Sequence, residues 1–197
     1  MKKILILAMT LFSGFTLFAV ETGSAAPEFT LVDTNGEAHS LSDFAGSYVV
    51  LEWLNHGCPF VVRHYKSGNM QGLQKQYTDE DVVWLSIVSS APGKQGYYSP
   101  AEANEITKDL GAAPTAVLLD ETGKVGRAYS AKTTPHMFVI NPEGVLIYQG
   151  AIDDSPRGGD PAEVSNYVSA ALDASMAGDE IANDTTRPYG CSVKYYL

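Results

Sequence analysis

The chain has 197 residues, of which 45% are hydrophobic and 18% are charged, and its formal net charge is −10. This composition is typical of a globular protein with enough residues for one domain and a substantial core. The acidic balance argues against nucleic acid or an anionic membrane as a partner, because both are bound through a basic surface.

The N-terminus predicts an export signal. Lys2 and Lys3 precede a mostly apolar run over residues 4–20, and a small residue, Ala19, lies near its end. This order of charge, apolar run and small residue is typical of a secretory signal peptide. A retained N-terminal anchor is the alternative, but the run is short for a membrane span of about 20 residues. We therefore predict residues 1–19 as a signal peptide of an exported, periplasmic or secreted protein without stable membrane contact after cleavage.

After this segment, the sequence predicts alternating strands and helices in one domain over residues 26–178, followed by a tail over 179–197. Asn35-Gly36 marks a turn after the first short strand. Ser99, Pro100 and Glu102 form a good helix start. Strands are predicted at 29–32, 48–54, 82–88, 116–119, 137–140 and 145–148, helices at 61–77, 99–110 and 161–177, and helical turns at 40–44 and 126–130. This order predicts an α/β fold with a central mixed sheet flanked by helices.

A cysteine lies where a predicted buried strand ends and a helix begins, in the stretch His56-Gly57-Cys58-Pro59-Phe60. Pro59 suits the first helical position, where its missing N–H costs nothing. The positive end of the helix dipole favours a thiolate, the nucleophilic form of cysteine. The pattern predicts a reactive Cys58, with a packed or disulfide-bonded structural cysteine as the alternative. Glu52, in the preceding strand, is either an exposed edge residue or a carboxylate held near Cys58.

The second cysteine, Cys191, lies 133 positions further on in an aromatic tail segment, residues 187–196. An exported protein is in a compartment where disulfides persist. A bridge between the two cysteines requires the tail to return to the Cys58 loop, and we expect this aromatic tail to dock on the domain. Such a bridge would contribute about 5 kcal/mol in the chain-entropy model, which suits a structural bridge as well as a redox one.

Histidines and acidic residues offer weaker candidate sites. His56, His64 and His136 are predicted to be solvated, with an ordinary pKa near 6.5. Cys58 with His56 or His136 has the chemistry for Cu(I), but the spacing is not a recognised site pattern.

Three acidic residues, Asp153, Asp154 and Asp160, offer oxygen ligands for Ca²⁺, but a solvated acidic loop explains them equally well. We therefore predict that the protein uses no metal and no cofactor.

The order of elements, with Cys58 at the first helix and Thr134-Pro135 just before the hairpin, resembles the thioredoxin fold. This resemblance implies a three-layer fold in which Pro135 is a cis-proline facing the reactive cysteine. It also implies that the Thr134 backbone is free to pair with a thiol substrate. An ordinary trans proline at the start of a strand is the alternative.

Several separated segments are similar to the redoxin group that includes alkyl hydroperoxide reductase and thiol-specific antioxidant proteins, and among them to a peroxiredoxin-like subgroup. The segments are residues 26–31, Gly36, 41–44, 55–61, 119–121, 148–154 and 190–194. The resemblance implies a thiol-dependent oxidoreductase with antioxidant activity. It further implies that Cys58 is the reactive thiolate and Cys191 a resolving cysteine, with Gly57, Pro59, Thr134 and Pro135 as the frame of the site. Its partners would be a peroxide or a protein thiol or disulfide, and an external thiol reductant.

The sequence departs from both families at the positions that do the chemistry. Val61 occupies the place of the second cysteine of a Cys-x-x-Cys motif. Typical peroxiredoxins carry Thr where this chain has Asn55 and an arginine near the position of Pro135, so we consider Arg63 or Arg127 as substitutes for that arginine. Three functions therefore compete: a peroxiredoxin-type oxidoreductase, a thiol–disulfide exchange protein for exported proteins, and a binding domain with a fixed disulfide.

Overall fold

The computed structural model describes residues 20–159 and 163–196, so the predicted signal peptide lies outside the described residues. The strands are β1 Thr30–Asp33, β2 Ala38–Ser40, β3 Val49–Trp53, β4 Val83–Val88, β5 Ala116–Leu119, β6 Thr133–Thr134, β7 His136–Ile140, β8 Leu146–Gly150 and β9 Cys191–Ser192. The helices are α1 Pro59–Lys66, α2 Asn69–Thr78, α3 Pro100–Asp109, α4 Lys124–Ala128 and α5 Tyr167–Ala177, with a 3-10 turn at Leu41–Phe44. None of the helices in the described ranges is long and apolar enough to cross a membrane.

Seven strands form one mixed sheet in the order β2-β1-β5-β4-β3-β7-β8. Strand β3 runs parallel to β4 and antiparallel to β7, and β4 runs parallel to β5. All five residues of β3 are buried, as its near-continuous apolar sequence predicts for a strand covered on both faces. The central position of β3 matters for the site, because Cys58 follows its carboxyl end.

Helices and turns cover both faces of this sheet. One face packs against α1, α2 and α5 through residues that include Val61, Met70 and Leu172. The other face packs against the 3-10 turn and the α4 region through Leu41, Val125 and other buried residues. The predicted three-layer α/β architecture is thus confirmed.

The predicted helix over 61–77 is two helices. The chain turns at Gly68, whose φ of 76° lies in the left-handed region that glycine adopts without a steric penalty. The predicted helix at 161–177 also begins later, at Tyr167. Asn166 caps it by accepting a hydrogen bond from the Ser169 N–H, and residues 161 and 162 of the predicted helix lie outside the described residues.

Candidate active site

Cys58 is the N-cap residue of α1, and residues 54–57 connect it to the carboxyl end of β3. Its backbone N–H donates to the Asn55 carbonyl at 2.9 Å, which closes a tight turn between strand and helix. The side chain is fully buried, and Sγ donates a hydrogen bond to the Thr134 carbonyl oxygen at 3.0 Å. Pro59 opens α1, as the sequence predicts.

Two amide side chains hold the loop in front of Cys58. The Asn55 Oδ1 accepts from the Gly57 N–H at 2.8 Å, and its Nδ2 donates to the Gln95 carbonyl at 3.3 Å. The Gln95 Nε2 in turn donates to the Gly57 carbonyl at 2.8 Å. Gln95 lies so close that a Cβ on Gly57 would come within 2.8 Å of its Cγ. Sequence reasoning missed Gln95, because a polar residue in a turn-rich loop carries no signal of a contact 38 positions away.

The Thr134–Pro135 peptide bond is cis. Thr134 and Pro135 are buried next to Cys58, and Thr134 ends the short strand β6. The structure therefore brings together Gly57, Cys58, Thr134 and Pro135, although they are far apart in sequence. Their roles in a reaction stay a prediction at this point.

The C-terminal tail brings Cys191 to the same place. Cys191 pairs with Thr134 in the antiparallel β6–β9 ladder, and Ser192 pairs with Thr133. The expectation that the Thr134 backbone is free to meet a substrate is therefore wrong for this structure, because the chain's own tail occupies that edge. Both cysteines are thiols, Cys58 buried and Cys191 half-buried, and the Thr134 backbone contacts both of them.

The two thiols have pKa values shifted in opposite directions. Burial alone would raise the pKa of Cys58. Hydrogen bonds from the Val61 N–H and from the Cys191 and Thr134 side chains outweigh it, so the net pKa of Cys58 lies below the ordinary value of 9.0. Burial, the hydrogen bond to Cys58 and the charge of that thiolate raise the pKa of Cys191 to about 11. Of the pair, Cys58 is the group that ionises first.

Tyr189, two residues before Cys191, ties the tail to the domain. Its hydroxyl donates to Asp153 and accepts from the Arg63 guanidinium at 3.2 Å. The same hydroxyl lies 3.0 Å from His64 Nε2. Arg63 and His64 belong to α1, the helix that Cys58 caps, so this network links the two cysteine-bearing segments.

A second anchor lies beyond Cys191. The Tyr195 hydroxyl donates to the Ala131 carbonyl at 2.8 Å, and the Arg127 guanidinium lies over its ring at 4.6 Å. Arg127 also donates to the Tyr196 carbonyl. Both arginines that the sequence offered as substitutes for a peroxidase arginine are thus bound to the tail or to loop carbonyls, and their described hydrogen bonds do not include Cys58.

The prediction of solvated histidines is wrong. His64 and His136 are buried, and most of His56 is covered. Burial lowers the pKa of His56 to about 4 and that of His136 to about 3. Burial, offset in part by Asp153, also lowers the pKa of His64. These imidazoles are neutral at pH 7, so none of them supplies a positive charge to stabilise the Cys58 thiolate.

Glu52 is neither an exposed edge residue nor a partner of Cys58. It is fully buried beneath α1 and α2, and burial raises the pKa of its carboxyl group. Four neutral donors reach its oxygens at 2.9–3.1 Å: the Tyr65 and Ser86 hydroxyls, the Trp84 indole N–H and the Gln74 amide. This network joins β3 and β4 to both helices, which explains a glutamate inside an apolar strand.

The predicted metal alternatives gain no support. In the described ranges, one group of three side chains could converge on an ion: Asp33, Glu37 and His39, next to the first turn. The Asp33 carboxylate already accepts hydrogen bonds from the Glu37 N–H and from Asn35. Of the predicted acidic set, Asp160 lies outside the described residues.

A mixed sheet between two helical layers, with a cysteine at the start of the first helix opposite a cis-proline, defines a thioredoxin-like protein. The chain belongs to the AhpC/TSA family, whose model matches residues 22–149. The recognition of that group from sequence is confirmed at this level, whereas the narrower peroxiredoxin assignment is not.

Among curated proteins, thiol-disulfide oxidoreductase ResA of Bacillus subtilis is 28% identical over 136 residues, covering 66% of each chain, just under two thirds of the relative's length. Among solved structures, an uncharacterized conserved protein from Geobacillus kaustophilus is 29% identical. It covers 89% of this chain and 93% of its own, with a TM-score of 0.80. A hypothetical protein from Sinorhizobium meliloti 1021 is 24% identical. The match covers 91% of this chain and 97% of that protein, with a TM-score of 0.79.

Proposed function

We propose that the protein is a thiol–disulfide oxidoreductase that cycles between a Cys58/Cys191 dithiol and a Cys58–Cys191 disulfide. The observation that carries this proposal is the placement of Cys191 opposite Thr134 in the β6–β9 ladder, where the Thr134 carbonyl oxygen also accepts the hydrogen bond from Cys58 Sγ. A thiol of lowered pKa lies beside one of raised pKa, which suits a first nucleophile and its partner.

The exchange runs in two steps. The Cys58 thiolate attacks one sulfur of a partner disulfide, forms a mixed disulfide and releases one partner thiolate, which takes up a proton. Cys191 loses its proton and attacks the Cys58 sulfur, which forms the Cys58–Cys191 bond and expels the second partner thiolate. The partner gains two electrons and the protein loses two. An external thiol reductant then restores the dithiol by the same chemistry.

The comparisons favour exchange over peroxide reduction, because the curated relatives at 24–28% identity include proteins named thiol-disulfide oxidoreductases. The site agrees with this choice. The Asn55 amide, at the position of the peroxidase hydroxyl, is bound to Gly57 and Gln95, and the arginines are bound elsewhere. A peroxidase would use the same cysteines through a Cys58 sulfenic acid that Cys191 resolves with loss of water.

We also propose that the protein acts after export, on thiols or disulfides of other exported proteins. The charged and apolar N-terminal pattern supports export. A lasting redox role for a cysteine pair fits a compartment where disulfides persist.

The test is thiol counting by intact mass on the protein without residues 1–19, before and after addition of oxidised glutathione or of hydrogen peroxide. We expect the disulfide reagent to close Cys58–Cys191 with two thiols lost, and Cys58→Ser to abolish the reaction. In Cys191→Ser, the mixed disulfide on Cys58 should accumulate. Fast closure by stoichiometric peroxide alone would favour the peroxidase, and activity that persists in Cys58→Ser would refute both.

A further inference from the structure

The β6 edge carries an extended, cysteine-bearing segment of the chain itself. Thr133 and Thr134 pair with Ser192 and Cys191, and the Val193 N–H donates to the Lys132 carbonyl at 3.1 Å. A strand edge recognises an extended segment through main-chain hydrogen bonds, which do not depend on whether that segment is tethered. The tail therefore shows how a cysteine on another extended segment would meet Cys58.

We propose that the tail is a tethered pseudosubstrate, and that the β6 edge accepts extended partner segments with glycine immediately before the reacting cysteine. This inference rests on the proposed exchange function for its chemistry. It names the class of partner, a Gly-Cys segment in extended conformation, and it requires the tail to leave the edge before such a partner reaches Cys58.

The glycine requirement comes from the contact at Gly190. Its φ is 134°, a conformation that residues with a side chain rarely adopt, and a Cβ there would overlap the Thr134 carbonyl oxygen far inside van der Waals contact. That oxygen is also the acceptor for Cys58 Sγ. It is part of the buried backbone of the site, so any segment that docks as the tail does meets the same obstacle.

The anchors of the tail lie outside this contact. Tyr189 and Tyr195 hold the segment on either side of Cys191 through hydrogen bonds to Asp153 and Ala131. An open groove of about 620 Å³ borders the segment and is lined by Thr133, Tyr189 and Gly190 among other residues. Residues 186–190 of the tail itself form part of the lining, so a partner segment reaches the β6 edge only after the tail strand has left it.

The experiment uses the full chain with Cys191→Ser, so that Cys58 is the single thiol, and adds Gly190→Ala to dislodge the tail. Ser192→Ala in the same background is the matched control, because Ser192 is exposed and its described side-chain hydrogen bond is one from Lys194. Alkylation of Cys58 by iodoacetamide reports access without any exchange chemistry. We expect Gly190→Ala to react at least about tenfold faster than the control, because the loss of the strand pairing opens the site.

Partner choice is then measured with two peptides, Tyr-Gly-Cys-Ser-Val and Tyr-Ala-Cys-Ser-Val, each carrying nitrothiobenzoate as a mixed disulfide on its cysteine. The Cys58 thiolate attacks the peptide sulfur and nitrothiobenzoate leaves as a coloured anion. We expect the Gly peptide to react about tenfold faster than the Ala peptide with the Gly190→Ala protein.

Equal rates for the two peptides would overturn the glycine requirement, and equal alkylation of Gly190→Ala and Ser192→Ala would overturn the pseudosubstrate. If Gly190→Ala does not fold, Tyr189→Phe provides a milder opening for both measurements. A failure of the exchange function has a different signature. The wild-type protein would then never form the Cys58–Cys191 disulfide, although Gly190→Ala would still be alkylated faster than Ser192→Ala.

Discussion

Thr134 is paired with Cys191 across the β6–β9 ladder, and its carbonyl oxygen accepts the hydrogen bond from the Cys58 sulfur. One residue thus holds both cysteines through its backbone, so their relative position depends on strand pairing more than on side-chain packing. The proposed redox chemistry of Cys58 therefore depends on the docking of the tail.

The opposite pKa shifts of the two thiols predict separate pH profiles. We expect alkylation of Cys58 to reach half its maximal rate below pH 9.0, and that of Cys191 at about pH 11. Removing the Cys191 thiol with Cys191→Ala should raise the pKa of Cys58, because a hydrogen bond to its thiolate is lost. Rates of iodoacetamide labelling between pH 5 and about 11, resolved by peptide mass, check this. An unchanged Cys58 profile in Cys191→Ala would show that the Cys191 thiol does not stabilise the Cys58 thiolate.

Tyr189→Phe should loosen the tail without removing an apolar contact. The hydroxyl that bonds Asp153, Arg63 and His64 is lost, and the buried Asp153 carboxylate keeps fewer partners. We expect a loss of about 1–3 kcal/mol in the free energy of unfolding and faster amide exchange at Cys191. Tyr196→Phe is the control, because its ring is exposed and its hydroxyl makes no described hydrogen bond. Similar losses of stability in both variants would show that the Tyr189 hydroxyl does not anchor the tail.

The buried Glu52 network predicts unequal effects of two substitutions. Glu52→Leu removes the acceptor of the Tyr65, Trp84 and Ser86 donors, whereas the Gln74 amide keeps the Tyr65 hydroxyl as an acceptor. We expect this substitution to cost about 3–5 kcal/mol in the free energy of unfolding. Glu52→Gln keeps an acceptor oxygen and should cost much less. Urea unfolding of the three proteins at pH 7 checks this, and equal losses for Leu and Gln would contradict the network.

The buried Glu52 carboxyl group also makes the free energy of unfolding depend on pH, and the sign of this dependence follows from its raised pKa. Burial raises the pKa of its carboxyl group in the folded state above 4.5, so the folded protein binds this proton more tightly than the unfolded chain does. The contribution to stability is present in full below the unfolded pKa and is lost as the pH rises through the folded pKa. The difference in the free energy of unfolding between Glu52→Gln and wild type should therefore shift in favour of the variant as the pH rises above 4.5. Urea unfolding at intervals of one pH unit measures the difference.

His56 contributes a pH dependence of the free energy of unfolding that is opposite in sign to that of Glu52. Burial lowers its pKa to about 4, and its Nε2 is buried without a described hydrogen-bond partner, next to the Tyr65 and Tyr98 rings. The unfolded chain binds more protons between pH 6.5 and about 4, so stability falls as the pH drops through this window. His56→Phe should reduce this slope, while His136 continues to contribute in the same direction. Proton NMR of the imidazoles gives the pKa directly, and a His56 value near 6.5 would overturn the assignment.

Local sequence patterns determined most of the elements and the candidate cysteine. The near-continuous apolar run before His56 predicted a buried strand, Pro59 predicted a helix start, and Ser99 with Glu102 predicted a capped helix. Each is set by the chain within a few residues, where propensity, capping and burial periodicity act. The order of elements, with Thr134-Pro135 before the hairpin, resembled the thioredoxin fold and implied the cis bond at Pro135. The separated segments identified the redoxin group.

Only the tertiary structure decided what meets across long separations. The pairing of Thr134 with Cys191, the hold of Tyr189 on Asp153, and the burial of His56 depend on contacts between segments far apart in the chain. The local sequence predicts a solvated histidine in a loop, because the helices that bury it are distant in the chain. An aromatic tail likewise does not indicate which strand it pairs with. Burial and strand pairing are properties of the assembled layers, and they decide that the tail, rather than a free edge, faces Cys58.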